Sequence, residues 1–268
     1  MNDVKFRNLL SAELLKMWSL RSTPWVFLAT ALAAIGFNAG EAYDRTHYWT
    51  EQDTRSAAKF ISDGIPVQMS FTDNASLIFA LAVTAIGIVA ISGEYSTGLI
   101  RTTFTAVPAR RSVMAAKALV MAGVMSIFGA LIALVSFYVT QGILGMKDVG
   151  VSIDHPGALR GVVASALLAP VCALVGMGIG TLLRHAGPSM VAGVVILLLA
   201  PFLFSEDHRW SAVLNHALPM SAWRRLLETP FTPEIPQPWT TTGAWIVYAA
   251  WALGAVVASV TVVQRRDQ

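Results

Sequence analysis

The chain has 268 residues, of which 55% are hydrophobic and 13% charged, with a formal net charge of +3 and a mean hydropathy of +0.59. Water-soluble domains are charged at about 25% of positions, so this composition excludes one and indicates an integral membrane protein. The single cysteine, Cys172, excludes an internal disulfide and reads as an apolar packing residue.

From the N-terminus, Val4 to Arg21 reads as an amphipathic helix. Phe6, Leu9, Leu10, Leu14, Met17 and Trp18 recur at helical spacing, with Lys5, Asn8, Lys16 and Ser19 largely on other faces. Such a helix is expected to lie in the membrane interface, with Trp18 at headgroup depth. Residues 1–23 lack the apolar core and small-residue cleavage site of a signal peptide, so they are expected to be retained. Pro24 suits the first turn of the following helix, capped by Ser22 or Thr23.

Six charge-free runs approach the roughly 20 residues that cross a hydrocarbon core about 30 Å thick. They are residues 24–40, 75–92, 118–144, 161–183, 188–204 and 243–263, and together they predict one transmembrane domain over 1–268. The first and fifth are short and need support from Trp25, nearby polar residues or local thinning. Between the first two runs, Glu41 to Asn74 holds six acids against three bases, is interrupted by Gly64 and Pro66, and predicts a short helix near Arg55 to Ile61. In the fourth run, Gly176, Gly178 and Gly180 predict close helix approach, as do Gly123 and Gly129 in the third, and Pro170 predicts a kink. Residues 205–242 are rich in Trp and Pro (Trp210, Pro219, Trp223, Pro230, Pro233, Pro236, Pro238, Trp239), with apolar clusters too short to span. Short helices folded over the outer mouth of a pathway account for that mixture.

With the N-terminus inside, the inner segments hold eleven of the 19 basic residues and four of the 16 acids, a net of +7, leaving −4 outside. Lys and Arg are retained on the cytoplasmic side, so both termini are expected there. Charge-free spans argue against a proton-coupled carrier, and an intramembrane enzyme would need a His, a carboxylate or an activated nucleophile at membrane depth, which the runs do not offer. The five histidines fall in loops without metal-ligand spacing, and none of the five lysines is followed by Ser or Thr, so the GxxxxGK[ST] nucleotide loop is absent. If ATP drives the protein, a separate subunit binds it.

The segment GEYSTGLIRTTFTAVPARRSVMAAK, Gly93 to Lys117, sits between the second and third runs with Arg101, Arg110, Arg111 and Lys117 against Glu94. Ser96 and Thr97 can cap a short helix over Gly98 to Ala106, which Pro108 ends by forcing Val107 extended. This segment resembles the loop after the second span in ABC-2 type transporter permeases, the membrane subunits of bacterial ABC exporters. The order of interfacial helix, six spans, acidic first outer loop and short helices before the last span resembles them too.

The resemblance implies an all-α membrane protein with a cytoplasmic coupling helix formed by Thr97, Gly98, Ile100, Arg101, Thr102, Thr103 and Phe104, which contacts the ATPase. Glu94 and Tyr95 would stand at an inner gate, and Phe6, Leu10, Leu14, Met17 and Trp18 would belong to the interfacial connecting helix. It further implies a homodimer or heterodimer of permeases bound to two cytoplasmic ATPase copies that carry ATP and Mg, no cofactor being bound by this chain. The expected work is export of a hydrophobic or amphipathic small molecule, such as an antibiotic. The alternatives are lipid handling, a drug-sensing or mechanical complex, and a non-transporting scaffold. Arg outnumbers Lys fourteen to five, a bias of GC-rich genomes that favours a bacterial plasma membrane.

Overall fold

The computed structural model describes residues 6–19, 21–204, 208–229 and 237–266, with residues 264–266 described without their side chains. Of the positions used above, Asp3, Val4, Lys5, Ser205, Pro230, Pro233, Pro236 and Asp267 lie outside the described residues, as do the side chains of Arg265 and Arg266. Every regular element among the described residues is helical. In chain order these are α1 (Phe6–Ser19), α2 (Thr23–His47), α3 (Glu51–Arg55), α4 (Ala57–Ser62), α5 (Ile65–Met69), α6 (Asp73–Ser96) and α7 (Leu99–Ala106). Next come α8 (Arg110–Gly145), α9 (Ala158–Leu183), α10 (Ala186–Val194), a π-helical turn (Val195–Leu199) and α11 (Ala200–Leu203). The chain closes with α12 (Arg209–His216), α13 (Pro219–Leu227) and α14 (Thr241–Arg266). Six stretches are long and apolar enough to cross a membrane, namely Thr23–His47, Ile65–Ser96, Arg110–Gly145, Ala158–Leu183, Ala186–Leu203 and Thr241–Val263, the architecture of a multi-pass membrane protein.

Several helices outrun the charge-free runs that announce them. The first continues two turns past Gly40 to His47, because Ala42 and Thr46 turn inward while Glu41, Tyr43, Asp44 and Arg45 stay outside. Its N-terminus starts with Pro24 in the first turn, but Ser22 makes no side-chain cap. α8 begins eight residues before Ala118, and its first two turns bury Val113, Met114, Ala116 and Lys117. The acidic segment folds as α3 and α4. Thr50 and Asp53 form a capping box on α3, and Gly64, at φ 70°, turns the chain into α5.

α9 is the central helix, with 83% of its most apolar window buried, against α6, α8 and α14. Glycine makes that centre possible. A Cβ at Gly87 would collide with the Ala173 carbonyl, one at Gly176 with the Thr84 carbonyl, and one at Gly129 with the Ala166 carbonyl. Backbones therefore touch along both seams, the arrangement small residues permit in apolar helices. Gly123 differs from expectation: it points away from the helix pack, with nothing within 4 Å of a Cβ built there. α9 continues as one helix through Pro170.

The end of the bundle away from α1 is joined by neutral polar groups. Asn38 on α2 donates to Ser136 Oγ on α8 at 3.0 Å, and its Oδ1 accepts from Thr72 N at 2.9 Å and Thr72 Oγ1 at 3.0 Å. Gln141 on α8 donates to Pro66 O at 2.7 Å and Ser70 Oγ at 2.8 Å, and accepts from Val151 N at 2.8 Å. At this same end α13 folds over the start of α9, with α12 packed before it. Trp223 is buried and donates to Ser165 Oγ at 3.1 Å, Leu227 covers Gly161, and His216 stacks on Trp239 at 4.5 Å.

Candidate functional site

At the other end, α1 lies across the starts of α2 and α8 and the end of α6. Its inward face is Leu9, Glu13, Lys16 and Met17, a spacing that places all four on one side of a helix. Phe6, Leu14 and Trp18 remain exposed, and Leu10 and Met17 are half-buried against the core. An aromatic ladder continues inward from Trp18 to Phe27 at 5.5 Å, Phe27 to Phe128 at 4.7 Å and Phe128 to Phe79 at 5.9 Å.

Under α1 sits a quartet of charges. Lys117 on α8, 6% exposed, pairs with Glu13 of α1, and its ammonium is 2.8 Å from Glu94 Oε1 on α6. Lys16 completes the ring at 2.7 Å from Glu13 Oε1 and 3.4 Å from Glu94 Oε1, and its Nζ lies 3.5 Å from Thr103 Oγ1 on α7. Two carboxylates and two ammoniums cancel, which is the condition for keeping charge out of water. Burial by itself would lower the Lys16 pKa, but the hydrogen bonds and charges of Glu13 and Glu94 more than reverse this and raise it.

This quartet revises the sequence reading in two respects. Glu94 and Lys117 belong to α6 and α8 rather than to a loop, and both are buried. α6 is thus charge-free only over its central length, and α8 only beyond its first two turns. Lys117 is moreover a partner of Glu13 and Glu94 instead of a surface base. Local sequence could not reveal a pairing across 104 positions. The one available signal was Glu13 standing four residues after Leu9 on an apolar stripe.

α7 hangs directly between α6 and α8. Gly98, at φ 73°, makes the turn into it, and Val107, at φ −130°, leaves it extended before Pro108. Neither Ser96 nor Thr97 caps α7. Both hydroxyls donate backward to the Gly93 carbonyl, at 3.0 and 2.8 Å, and so belong to the end of α6. Ile100 and Phe104 face the chain's own core at 5% and 9% exposure, with Arg110 over the Phe104 ring at 5.3 Å. Leu99, Arg101, Thr102 and Thr105 form the open face, and Thr103 is half-covered beneath Lys16. Tyr95 lies under the Arg184 guanidinium at 5.1 Å, joining the end of α6 to the end of α9. Among the described residues no three His, Cys, Asp or Glu side chains gather as a metal site.

No protein-family model matches this chain, and comparison with curated proteins finds no match. The assignment of a function therefore rests on the loop sequence and on the arrangement of α1, α6, α7 and α8.

Proposed function

We propose that this chain is the permease subunit of an ATP-driven exporter of the ABC-2 type, which moves a hydrophobic or amphipathic small molecule, such as an antibiotic, outward across a bacterial plasma membrane. The chain is not itself an enzyme; a cytoplasmic ATPase, in two copies, binds ATP and Mg. The observation that carries this reading is α7, a two-turn helix held between two spanning helices and exposing Leu99, Arg101, Thr102 and Thr105 beside a basic segment. A partner that moves α7 pulls on α6 and α8 through the chain and on α1 through Lys16 and the quartet. Glu94 and Tyr95 stand at that junction, where a displacement of α7 first reaches the inner ends of α6 and α9.

Exposed apolar surface supports a paired permease. The most apolar windows of α2, the α10–α11 segment and α14 are only 28%, 22% and 22% buried, leaving faces for lipid and for a second permease chain, identical or not. The charge split of +7 and −4 supports α1 and α7 on the cytoplasmic side and α12 and α13 on the outer side. On this reading α1 is the interfacial connecting helix, with Phe6, Leu14 and Trp18 turned to lipid.

Arg101→Glu tests the coupling role, because it reverses a charge on the open face without touching the core. Transport should fall while ATP hydrolysis by the assembled complex continues. Wild-type transport by that variant would remove α7 from the mechanism. Ile100→Asp does not serve as the same test, since Ile100 is packed inside this chain and its loss would unseat α7 itself.

A further inference from the structure

Beside the quartet lies a cavity of about 440 Å³ between α1, α2, α6 and α8, within the range of about 300–1,000 Å³ that small-molecule sites occupy. Its walls are apolar, with Val26, Phe27, Val89 and Met121 among them, while Glu94, Lys117 and Ser22 line its polar end. Val26 and Val89 line it and are nevertheless exposed, at 43% and 44%, so it opens sideways between α2 and α6 on the apolar flank of the bundle.

The polar end has unused hydrogen-bonding capacity of both signs. Glu94 accepts from Lys117 and Lys16 through Oε1, whereas Oε2 makes no hydrogen bond among the described residues, although Glu94 is more than nine-tenths buried. An ammonium has three donors, and Lys117 spends two, on Glu13 and Glu94. The Ser22 hydroxyl makes no cap bond. A ligand of net charge would upset a buried quartet whose own charges cancel. One that brings a cation and an anion together would not.

We propose that this cavity binds a zwitterionic phospholipid with a primary-amine headgroup, phosphatidylethanolamine. Its ammonium donates to Glu94 Oε2, its phosphate accepts from Lys117 and Ser22, and an acyl chain leaves through the opening between Val26 and Val89. A primary amine is required because a trimethylated one has no N–H to give to Glu94. The site lies wholly within one chain, so lipid can occupy it whether or not the chain acts as a permease.

The test uses the full chain, delipidated in detergent without any ATPase and titrated with phosphatidylethanolamine, phosphatidylcholine and phosphatidylglycerol of matched acyl chains, with bound lipid read by native mass spectrometry. Phosphatidylethanolamine should bind at least about tenfold more tightly than the other two, as expected for one charge-assisted hydrogen bond. Val89→Trp, which fills the cavity from an exposed position, should lower that affinity about tenfold or more, and Glu94→Gln should erase the preference over phosphatidylcholine. Equal binding of the three lipids, a preference for phosphatidylglycerol, or unchanged binding by Val89→Trp would each overturn the proposal. Should Glu94→Gln fail to fold, the lipid comparison and Val89→Trp still decide it.

Discussion

At the α1 end of the bundle the helices are joined by Glu13, Lys16, Glu94 and Lys117, four charges that cancel. At the other end, Asn38 and Gln141 join α2, α8 and the segment around Pro66 and Thr72 through neutral amides and hydroxyls. The two ends differ in what a disturbance costs. A neutral network loses only hydrogen bonds when one member changes, three at Asn38 and three at Gln141, whereas a largely buried ionic ring loses its neutrality. A charge-balanced junction is also one whose state changes sharply when a helix moves, which suits the end that would receive work from a partner.

Lys117→Met should give the largest effect. It leaves Glu13 and Glu94 facing each other with only the partly exposed Lys16 between them, and breaking a buried ion pair from one side costs about 3–5 kcal/mol. Reversible unfolding in mixed micelles would measure it. Asn38→Leu should cost less, about 1–3 kcal/mol, because it orphans the Thr72 N–H and Ser136 hydroxyl but no charge. If Asn38→Leu proves the more damaging of the two, the contrast between the ends is wrong.

The smallest effect is one of pH. Lys16 is raised above the ordinary lysine range by its carboxylate neighbours. A group whose folded pKa lies above its unfolded value contributes fully at lower pH and loses that contribution as pH climbs through the folded value. The stabilisation from Lys16 should therefore persist across neutral pH and disappear only in strongly alkaline solution. Comparing the alkaline limb of the unfolding curve with that of Lys16→Met would show it, the two curves converging at high pH.

How much of this was legible in the residues differs between spans and site. Long charge-free runs announce membrane helices because every backbone group in lipid must be bonded within its own segment. Helix ends are less visible: the last turns of α2 carry Glu41, Asp44 and Arg45 on one side and Ala42 and Thr46 on the other, so composition alone reads them as loop. α7 was legible as a short helix ended before Pro108, although Ser96 and Thr97, read as its caps, bond back to Gly93 and Gly98 makes the turn into it. Which way its apolar side faces was not, because Ile100 and Phe104 suit a partner's groove and the chain's own core equally well. The quartet was hidden for a different reason: charge counting treats Glu13, Glu94 and Lys117 as separate signs along a line, and only the crossing of α1 over α6 and α8 brings them together.

Crosslinking from the open face of α7 tests the central claim most directly. In a Cys172→Ser background, single cysteines at Thr102 and Thr105, at the buried Phe104, and at the exposed Lys59 of α4 would be crosslinked within the purified complex. A soluble ATPase should be captured from Thr102 and Thr105 and not from Phe104 or Lys59, and capture should lessen when Arg101 is changed to Glu. An ATPase crosslinked from Lys59 instead, or a fully active preparation in which no ATPase crosslinks to α7, would contradict the account.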